Sequence, residues 1–323
     1  MTQVGAPKHE PINIGTEATP PFAVLPDPST LFAKRAKRFE TLAPGHDLGG
    51  YLTFAATLCR LQSDVAMAGA SITLPSPDQL ALAKTGQMPP LSRGDFELDD
   101  AFKATLERLL AAILAAGDEV PVQAKEAART VAAYASADLQ LASDAVCADE
   151  IAPGGVAETV LLAAALQVHF SRLAAALDAR QLQPVADGVC PACGAPPVSS
   201  AVVGWPNAEN TRFCTCSLCA TQWNVVRVKC VTCGSTGGIS YLAIEGQADK
   251  GQLGTIKAET CEACNAYVKI LYQVNDPALD PVADDVATLA LDLLLAEKGW
   301  LRRGVNPFLT GYAPAAASRD ESV

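Results

Sequence analysis

Four pairs of cysteines with C-x2-C spacing carry the main chemistry of this sequence. The pairs are Cys190/Cys193, Cys216/Cys219, Cys230/Cys233 and Cys261/Cys264. Two residues between the thiols let a tight turn direct both sulfurs at one metal ion. Two such turns complete a tetrahedral site, with bonds of about 2.3 Å if the ion is zinc. The sequence therefore predicts two metal sites, each with four thiolate ligands.

The spacing leaves the partners of each pair open. Sequential pairing joins the first two pairs at one ion and the last two at the other, and a crossed arrangement is also compatible with the spacing. Gly194 and Gly234 follow the first and third pairs, where a turn often requires positive φ. Four thiolates suit zinc and iron equally. A site without an open position favours a structural or electron-transfer role over hydrolysis.

Three further cysteines lie outside these pairs. Cys214 precedes Cys216 by two residues, so both share one face of a regular strand. It is either a small buried residue or a reactive thiol beside the first metal. Cys59 and Cys147 fall in helical patterns, where burial is expected. Because no export signal is recognisable, we expect metal binding in a reducing compartment rather than disulfides.

The elements around the cysteines indicate an α+β protein. We expect an N-terminal helical bundle, two tandem rubredoxin-like or zinc-ribbon-like modules, and a C-terminal helix. The predicted boundaries are a disordered proline-rich leader over 1–29, a helical domain over 30–183, a first module over 188–228, a second module over 229–275, a C-terminal helix and cap over 276–312, and a disordered tail over 313–323.

Two helices are predicted in more detail. One covers roughly 122–147. The other covers 281–298, with Asp280 at its N-cap and Pro281 at its first position. One face of this C-terminal helix carries Val282, Val286, Leu289, Leu293 and Ala296. Leu291 and Leu295 lie elsewhere on its surface, which indicates a helix covered on two sides.

Charge excludes several classes of function. The chain has 35 acidic and 24 basic residues, a formal net charge of −11. An acidic chain is a poor ligand for phosphate backbones or anionic membranes. No apolar stretch reaches the roughly 20 residues of a membrane span. There is also no P-loop and no dinucleotide-binding glycine motif, so we expect no enzymatic activity.

Several motifs together resemble the formate dehydrogenase accessory proteins of the FdhE family, from about Arg38 to Leu309. The resemblance rests on Arg38-Phe39, Leu42 to His46, Cys190-Pro-Ala-Cys193-Gly194, Arg212, Cys216-Ser-Leu-Cys219, Gln222-Trp223, Cys230, Cys233, Cys261-Glu-Ala-Cys264, Tyr267-Val268-Lys269, Asp284 to Leu289, Leu291-Asp292, Gly299 and Asn306-Pro307. It implies a cytoplasmic, non-catalytic factor for the maturation of respiratory formate dehydrogenases. Such a factor contacts the molybdenum- or tungsten-containing catalytic subunit before export and binds rubredoxin-type iron.

The same resemblance suggests residues for contact with the partner subunit. They are His46, Arg212, Trp223, Tyr267, Lys269, Asp284 and Asp285. Each also has a structural alternative: His46 as a capping or solvent-exposed residue, the aromatic residues as packing over the metal turns, Arg212 and Lys269 as charges on a solvated face, and the aspartates as favourable charge at a helix start. Two rival functions stay open, a rubredoxin-like electron carrier and a nucleic-acid-binding zinc ribbon, the second opposed by charge. Self-association and the client isoenzyme are left open by the sequence.

Overall fold

The N-terminal half of the chain is a bundle of α-helices. The computed structural model describes residues 20–68, 71–244 and 254–311. The helices of this half are α1 (Pro28–Leu42), α2 (Gly49–Met67), α3 (Pro77–Thr85), α4 (Asp100–Ala115), α5 (Val122–Ala132), α6 (Ser136–Cys147) and α7 (Val156–Ala175). Capping oxygens define several starts: Asp27 accepts from the Ser29 amide, and Asp99 accepts from the Phe102 amide.

Helix α7 lies at the centre of this bundle. It contacts α1, α2, α4, α5 and α6. Within the described residues it is also the one helix long and apolar enough to cross a membrane, but 72% of its apolar window is buried inside the protein. Its composition is therefore explained by packing on all sides. The predicted helix over 122–147 is instead two helices, α5 and α6. No proline or glycine marks the break, and both pieces pack against α7.

The strands of the described chain form one eight-stranded sheet. They are β1 (Ala23–Val24), β2 (Pro197–Val202), β3 (Arg212–Cys216), β4 (Gln222–Val225), β5 (Ile239–Leu242), β6 (Ile256–Cys261), β7 (Ala266–Tyr272) and β8 (Leu301–Arg302). Their order is β1-β4-β3-β2-β7-β6-β5, and β8 also pairs with β7.

The two cysteine modules are joined through this sheet. Strands β2 to β4 form the antiparallel sheet of the first module, and β5 to β7 form that of the second. The two sets meet where β2 runs parallel to β7, with Ser200 opposite Ile270. The predicted tandem modules are confirmed, and the sheet connects them edge to edge.

The C-terminal helix is broken in the middle. It consists of α8 (Ala283–Ala287) and α9 (Leu289–Glu297), separated by Thr288. Asp280 caps the start as predicted, because its Oδ1 accepts from the Val282 and Ala283 amides at 2.9 and 2.8 Å. The predicted apolar face is wrong beyond the break. Leu293 is 51% exposed, whereas Leu291 and Leu295, expected on a second covered side, are buried.

The N-terminal boundary also differs from the prediction. Residues 1–19 of the predicted leader lie outside the described residues. Ala23 pairs with Trp223 of β4, and α1 begins at Pro28. The chain from residue 20 onward is therefore part of the fold, since a short edge strand and a first helical position both accommodate proline-rich sequence. The predicted tail over 313–323 lies outside the described residues.

Candidate metal centres

The first cluster of sulfurs is buried inside the protein. It consists of Cys190, Cys193, Cys216 and Cys219, whose ligand atoms all lie within 4.8 Å of one another. The Sγ atoms of Cys190 and Cys219 are 3.6 Å apart, and those of Cys193 and Cys216 are 3.4 Å apart. Four ligands at about 2.3 Å from one ion would be separated by about 3.8 Å in a tetrahedron. The first two C-x2-C pairs thus form one site, as sequential pairing predicts.

The second cluster lies at the surface. It consists of Cys230, Cys233, Cys261 and Cys264, again with all ligand atoms within 4.8 Å of one another. The Sγ atoms of Cys230 and Cys264 are 3.8 Å apart, and those of Cys233 and Cys261 are 3.7 Å apart. Cys233 is exposed and Cys264 is partly exposed, whereas the four sulfurs of the first cluster are all buried. The two sites share their ligand set and differ in their access to solvent.

Each cysteine pair sits in a tight turn of the backbone. In the first turn the Cys190 amide donates to the Ala195 carbonyl at 2.8 Å, and the Gly194 amide donates to the Cys190 carbonyl at 2.9 Å. The residue after the second cysteine has positive φ in all four turns; these residues are Gly194 (78°), Ala220 (59°), Gly234 (74°) and Asn265 (50°). Glycine takes this conformation without penalty, but alanine pays about 1–2 kcal/mol. The positive φ of Ala220 could therefore not be predicted from its residue type.

The donors around the first cluster fit four thiolates. Amides of Ala192 and Leu218 point at the sulfurs of Cys190 and Cys216, each at 3.4 Å. Burial raises the pKa of Cys190 well above its ordinary value, which opposes ionisation. Burial also acts on Cys219, but hydrogen bonds from the neighbouring thiols lower its pKa well below the ordinary value. A central cation would stabilise the remaining thiolates, so the residues present fit a bound metal ion.

The helical half holds the first cluster in place. The Arg93 amide donates to the Cys193 carbonyl at 3.0 Å. Gln167 of α7 donates through Nε2 to the Ser217 carbonyl at 2.8 Å, between the second pair of cysteines. The first cluster also belongs to the same apolar core as the bundle. This metal site is therefore part of the interface between the helices and the sheet.

Arg212 connects the two modules from the interior. It is fully buried, and its Nη1 lies 2.7 Å from Oε2 of Glu259, which is itself buried. Its Nη2 donates to Ser200 Oγ at 2.8 Å, and its Nη1 donates to the carbonyls of Arg227 and Lys229 at 3.3 and 3.2 Å. Glu259 precedes Cys261, and Lys229 precedes Cys230. One guanidinium thus supports the backbone that leads into both turns of the second cluster.

Lys269 belongs to a second buried charge network, next to the second module. Its Nζ lies 2.5 Å from Oδ2 of Asp292 and 3.2 Å from Oδ1 of Asp285. Arg302 pairs with both carboxylates, and Tyr267 donates its hydroxyl to Asp292 Oδ1 at 2.7 Å. Burial opposes ionisation of Asp285, but the charges of Arg302 and Lys269 lower its pKa. The network attaches β7 and β8 to the two C-terminal helices.

The seven side chains predicted to contact a partner occupy defined places within the fold. Six of the seven side chains are buried: Arg212, Trp223, Tyr267, Lys269, Asp284 and Asp285. Asp284 accepts from Arg38 Nε at 2.8 Å, so its charge is used within the chain. These six side chains make internal packing and polar contacts in the folded chain, and their contact with a partner stays a prediction.

His46, the seventh predicted contact, is half-buried and also acts within the chain. Its Nδ1 accepts from the Leu48 amide at 3.0 Å, and its Nε2 lies 2.9 Å from the Ala287 carbonyl. It therefore supports the start of α2 and links that start to α8. Both contacts agree with its structural alternative as a capping residue.

The other cysteines are isolated and buried. They are Cys59, Cys147 and Cys214. Burial raises the pKa of each of these thiols to about 12. Neither cluster includes Cys214, and its surroundings favour the neutral thiol. The reading as a small buried residue therefore agrees with its environment.

Sequence reasoning assigned no role to Glu259, Asp292 or Arg302, although Asp292 belongs to the motifs that carry the family resemblance. Each pairs with a predicted residue of opposite charge that is distant along the chain, so no local spacing connects the partners. A single acidic residue within an apolar helix, Asp292 among leucines, was the local signal that the sequence offered.

Comparisons with known proteins agree with this architecture. Family models match in three consecutive parts: FdhE, N-terminal, over residues 20–187; FdhE, central domain, over 189–227; and FdhE, C-terminal domain, over 228–309. A protein named Protein FdhE homolog from Rhizobium meliloti (strain 1021) is 42% identical over 308 residues, which cover 94% of this chain and 97% of that protein. A homolog from Edwardsiella ictaluri (strain 93-146) is 36% identical over 289 residues, covering 88% and 90%.

A solved structure has the same fold. The crystal structure of the FdhE protein from Pseudomonas aeruginosa aligns with a TM-score of 0.79 at 32% identity, covering 91% of this chain and 100% of that one. The family models together span both cysteine clusters and the helical half. By sequence and by fold, this chain belongs to the FdhE family.

Proposed function

We propose that this chain is an accessory factor for the maturation of a formate dehydrogenase. It binds the catalytic subunit in the cytoplasm before export and has no catalytic activity of its own. The observation that carries the proposal is membership of the FdhE family along almost the whole chain, with both four-cysteine clusters complete. The name of the family links it to formate dehydrogenase, and the extended helical half provides surface for a large partner.

The two clusters would each hold one metal ion. Iron of the rubredoxin type is favoured by the family resemblance, and zinc suits the same tetrahedral thiolate set. A metal with four protein ligands supplies rigidity and, if it is iron, a one-electron couple. The residues of this chain bind the ion, exclude water from the first site and stabilise thiolate charge with backbone amides.

The experiment is a capture assay carried out without oxygen. Metal-loaded, full-length protein is immobilised and exposed to the catalytic subunit of a formate dehydrogenase. The matched variant is Cys233→Ser/Cys264→Ser, which changes the exposed and the partly exposed ligand of the second cluster and leaves the buried first cluster intact. We expect capture by the unchanged protein. Failure of the unchanged protein to bind the subunit in repeated preparations would reject the maturation role.

The variant then locates the contribution of the metals. Reduced capture by Cys233→Ser/Cys264→Ser would assign part of the docking function to the second module. Equal capture would place docking on the helical half and the first module, with the second metal serving another purpose.

A second candidate function is electron transfer. The specific observation in its favour is that the second cluster lies at the surface, with Cys233 exposed. An exposed iron–thiolate centre can approach a redox partner closely. Purified protein that is red when oxidised and bleaches reversibly on reduction would support this candidate. Colourless protein that contains zinc at both sites would reject it.

A further inference from the structure

An open groove runs beside helix α1. Its volume is about 660 Å³, and it lies between α1, the loop at Gly204 and Trp205, and the segment 273–281. Thr215 and Ala220, next to the second cysteine turn, form part of its wall. We call this cavity the α1 groove. None of the functional roles described above uses it.

The α1 groove is positively charged in an acidic protein. Its charged lining residues are Lys34, Arg35, Lys37, Arg38, Asp27 and Asp280. Asp27 and Asp280 are occupied as helix caps. Lys34 makes no ion pair with any residue that the structure describes, and Lys37 has a 3.9 Å contact with Glu40 at 79% side-chain exposure. Arg38 is already paired with Asp284 and Asp276. The available cations that this chain of net charge −11 keeps beside the groove are therefore Lys34 and Lys37.

Arg35 is the least satisfied of these cations. It is only 2% exposed, yet its Nε has no hydrogen-bond partner in the described part of the chain. Its guanidinium carbon lies 5.7 Å from the centre of the Phe32 ring. Its ionic contact is Nε to Asp280 Oδ1 at 3.5 Å, and that oxygen already accepts from two backbone amides. Burying a guanidinium without complete hydrogen bonding is costly. An acceptor group in the groove would complete its interactions.

The remaining wall suits a polypeptide better than a free inorganic anion. Gln273 has a buried Oε1 without a donor in the described residues, so the wall offers an unused acceptor as well as unused donors. Leu31, Trp205 and Leu279 add apolar surface. A peptide with an acidic side chain supplies carboxylate, amide N–H and apolar groups together, whereas an inorganic anion supplies acceptors alone.

We propose that the α1 groove binds an acidic, extended segment of the formate dehydrogenase catalytic subunit. The inference rests on the proposed function and assigns a place to the docking step. The chain's own residues 1–19 are a weaker match, because their carboxylates are Glu10 and Glu17 and they also contain Lys8 and His9. A bound segment would lie against the turn of Cys216 and Cys219, beside the first metal cluster.

Charge reversal at the rim tests the proposal. The variant is Lys34→Glu/Lys37→Glu, and the matched control is Arg129→Glu/Lys298→Glu, which changes the net charge equally at exposed positions outside the groove. Binding of the purified catalytic subunit to metal-loaded, full-length protein is measured at low and high ionic strength. We expect the groove variant to bind about tenfold more weakly or worse at low ionic strength, with a smaller difference at high salt.

The outcomes separate this proposal from the proposed function. Binding by the unchanged protein and the control, with loss in the groove variant, supports the groove. Equal binding by all three proteins overturns the groove and leaves the maturation role standing. Absence of binding even by the unchanged protein overturns both.

A photo-cross-link identifies the occupant directly. A benzophenone amino acid replaces Ala278, which is exposed and lines the groove. We expect a cross-link to a segment of the catalytic subunit that contains acidic residues. A cross-link to residues 1–19 of the same chain, or to a segment of the subunit without acidic residues, would overturn the proposal.

Discussion

Arg212 offers the sharpest test of how the two metal modules are held together. Arg212→Met keeps a side chain of similar length and removes the charge. Glu259, 3% exposed, is then left with the Tyr241 hydroxyl at 3.1 Å and without a cation. Removing one partner of a buried ion pair costs about 3–5 kcal/mol. Against a total stability of about 5–15 kcal/mol for a typical domain, that loss is large.

The assay is denaturant unfolding of zinc-loaded protein at fixed free zinc, because bound metal adds to stability by mass action. The control is Lys229→Met. Lys229 pairs with Asp187 at 2.7 Å, but the two side chains are 32% and 51% exposed, so its loss should cost at most about 1 kcal/mol. The double variant Arg212→Met/Glu259→Met removes the unpaired carboxylate as well. It should recover at least half of the stability lost by the single variant.

Metal affinity provides an independent measurement. Because Arg212 holds the carbonyls of Arg227 and Lys229 ahead of Cys230, its loss should loosen the second cluster. Support from groups behind a metal ligand is worth about 10- to 100-fold in affinity. In a chelator titration, Arg212→Met should therefore lose the metal of the second cluster at least tenfold more readily than the unchanged protein does. The affinity of the first cluster for its metal should change less. The reasoning would be refuted if Arg212→Met lowered the free energy of unfolding no more than Lys229→Met does and left metal release unchanged.

Three further predictions concern the cysteines and His46. The cysteines outside the clusters are Cys59, Cys147 and Cys214. With a pKa raised to about 12, each is a thiolate in only about one molecule in ten thousand at pH 8. Mass spectrometry after iodoacetamide treatment of the native protein should therefore find these three cysteines unmodified. Rapid alkylation would contradict their burial. Cys190→Ser should lower the melting temperature of the helical half, whereas Cys230→Ser should destabilise the second module alone. Equal changes in the melting temperature of the helices would argue against the interface position of the first cluster. His46→Ala removes the acceptor for the Leu48 amide and the contact to Ala287, so it should cost about 1–2 kcal/mol without changing metal content, and an unchanged unfolding midpoint would show that these contacts contribute little.

The metal clusters were predictable because their signal is local. Two cysteines separated by two residues define a turn, and four such turns define two sites whatever their surroundings. Sequence spacing left the pairing open, since both arrangements satisfy it. The sheet decides it: β3 carries Cys216 back beside the start of β2, close to the turn of Cys193.

The charged residues were harder to predict. Lys and Asp are normally exposed, so Lys269 and Asp285 were expected at the surface. Their burial depends on partners supplied by other elements, Asp292 from α9 and Arg302 from β8. These ion-pair partners, which offset the burial of the two charges, come together only after the chain has folded. The break at Thr288 lies against the same network, because Lys269 of β7 donates through Nζ to the Thr288 carbonyl at 3.1 Å and to its hydroxyl at 3.0 Å.

The parallel pairing of β2 with β7 has a consequence for synthesis of the protein. Strand β2 is fully buried in the finished sheet, with β3 on one side and β7 on the other. While the polypeptide emerges from the ribosome, β2 and β3 are present before β7 exists, and one edge of β2 has no partner. Unpaired strand edges are sites of aggregation. The newborn chain thus passes through a vulnerable stage that ends only when β7, which carries Ile270 opposite Ser200, is available to pair with β2.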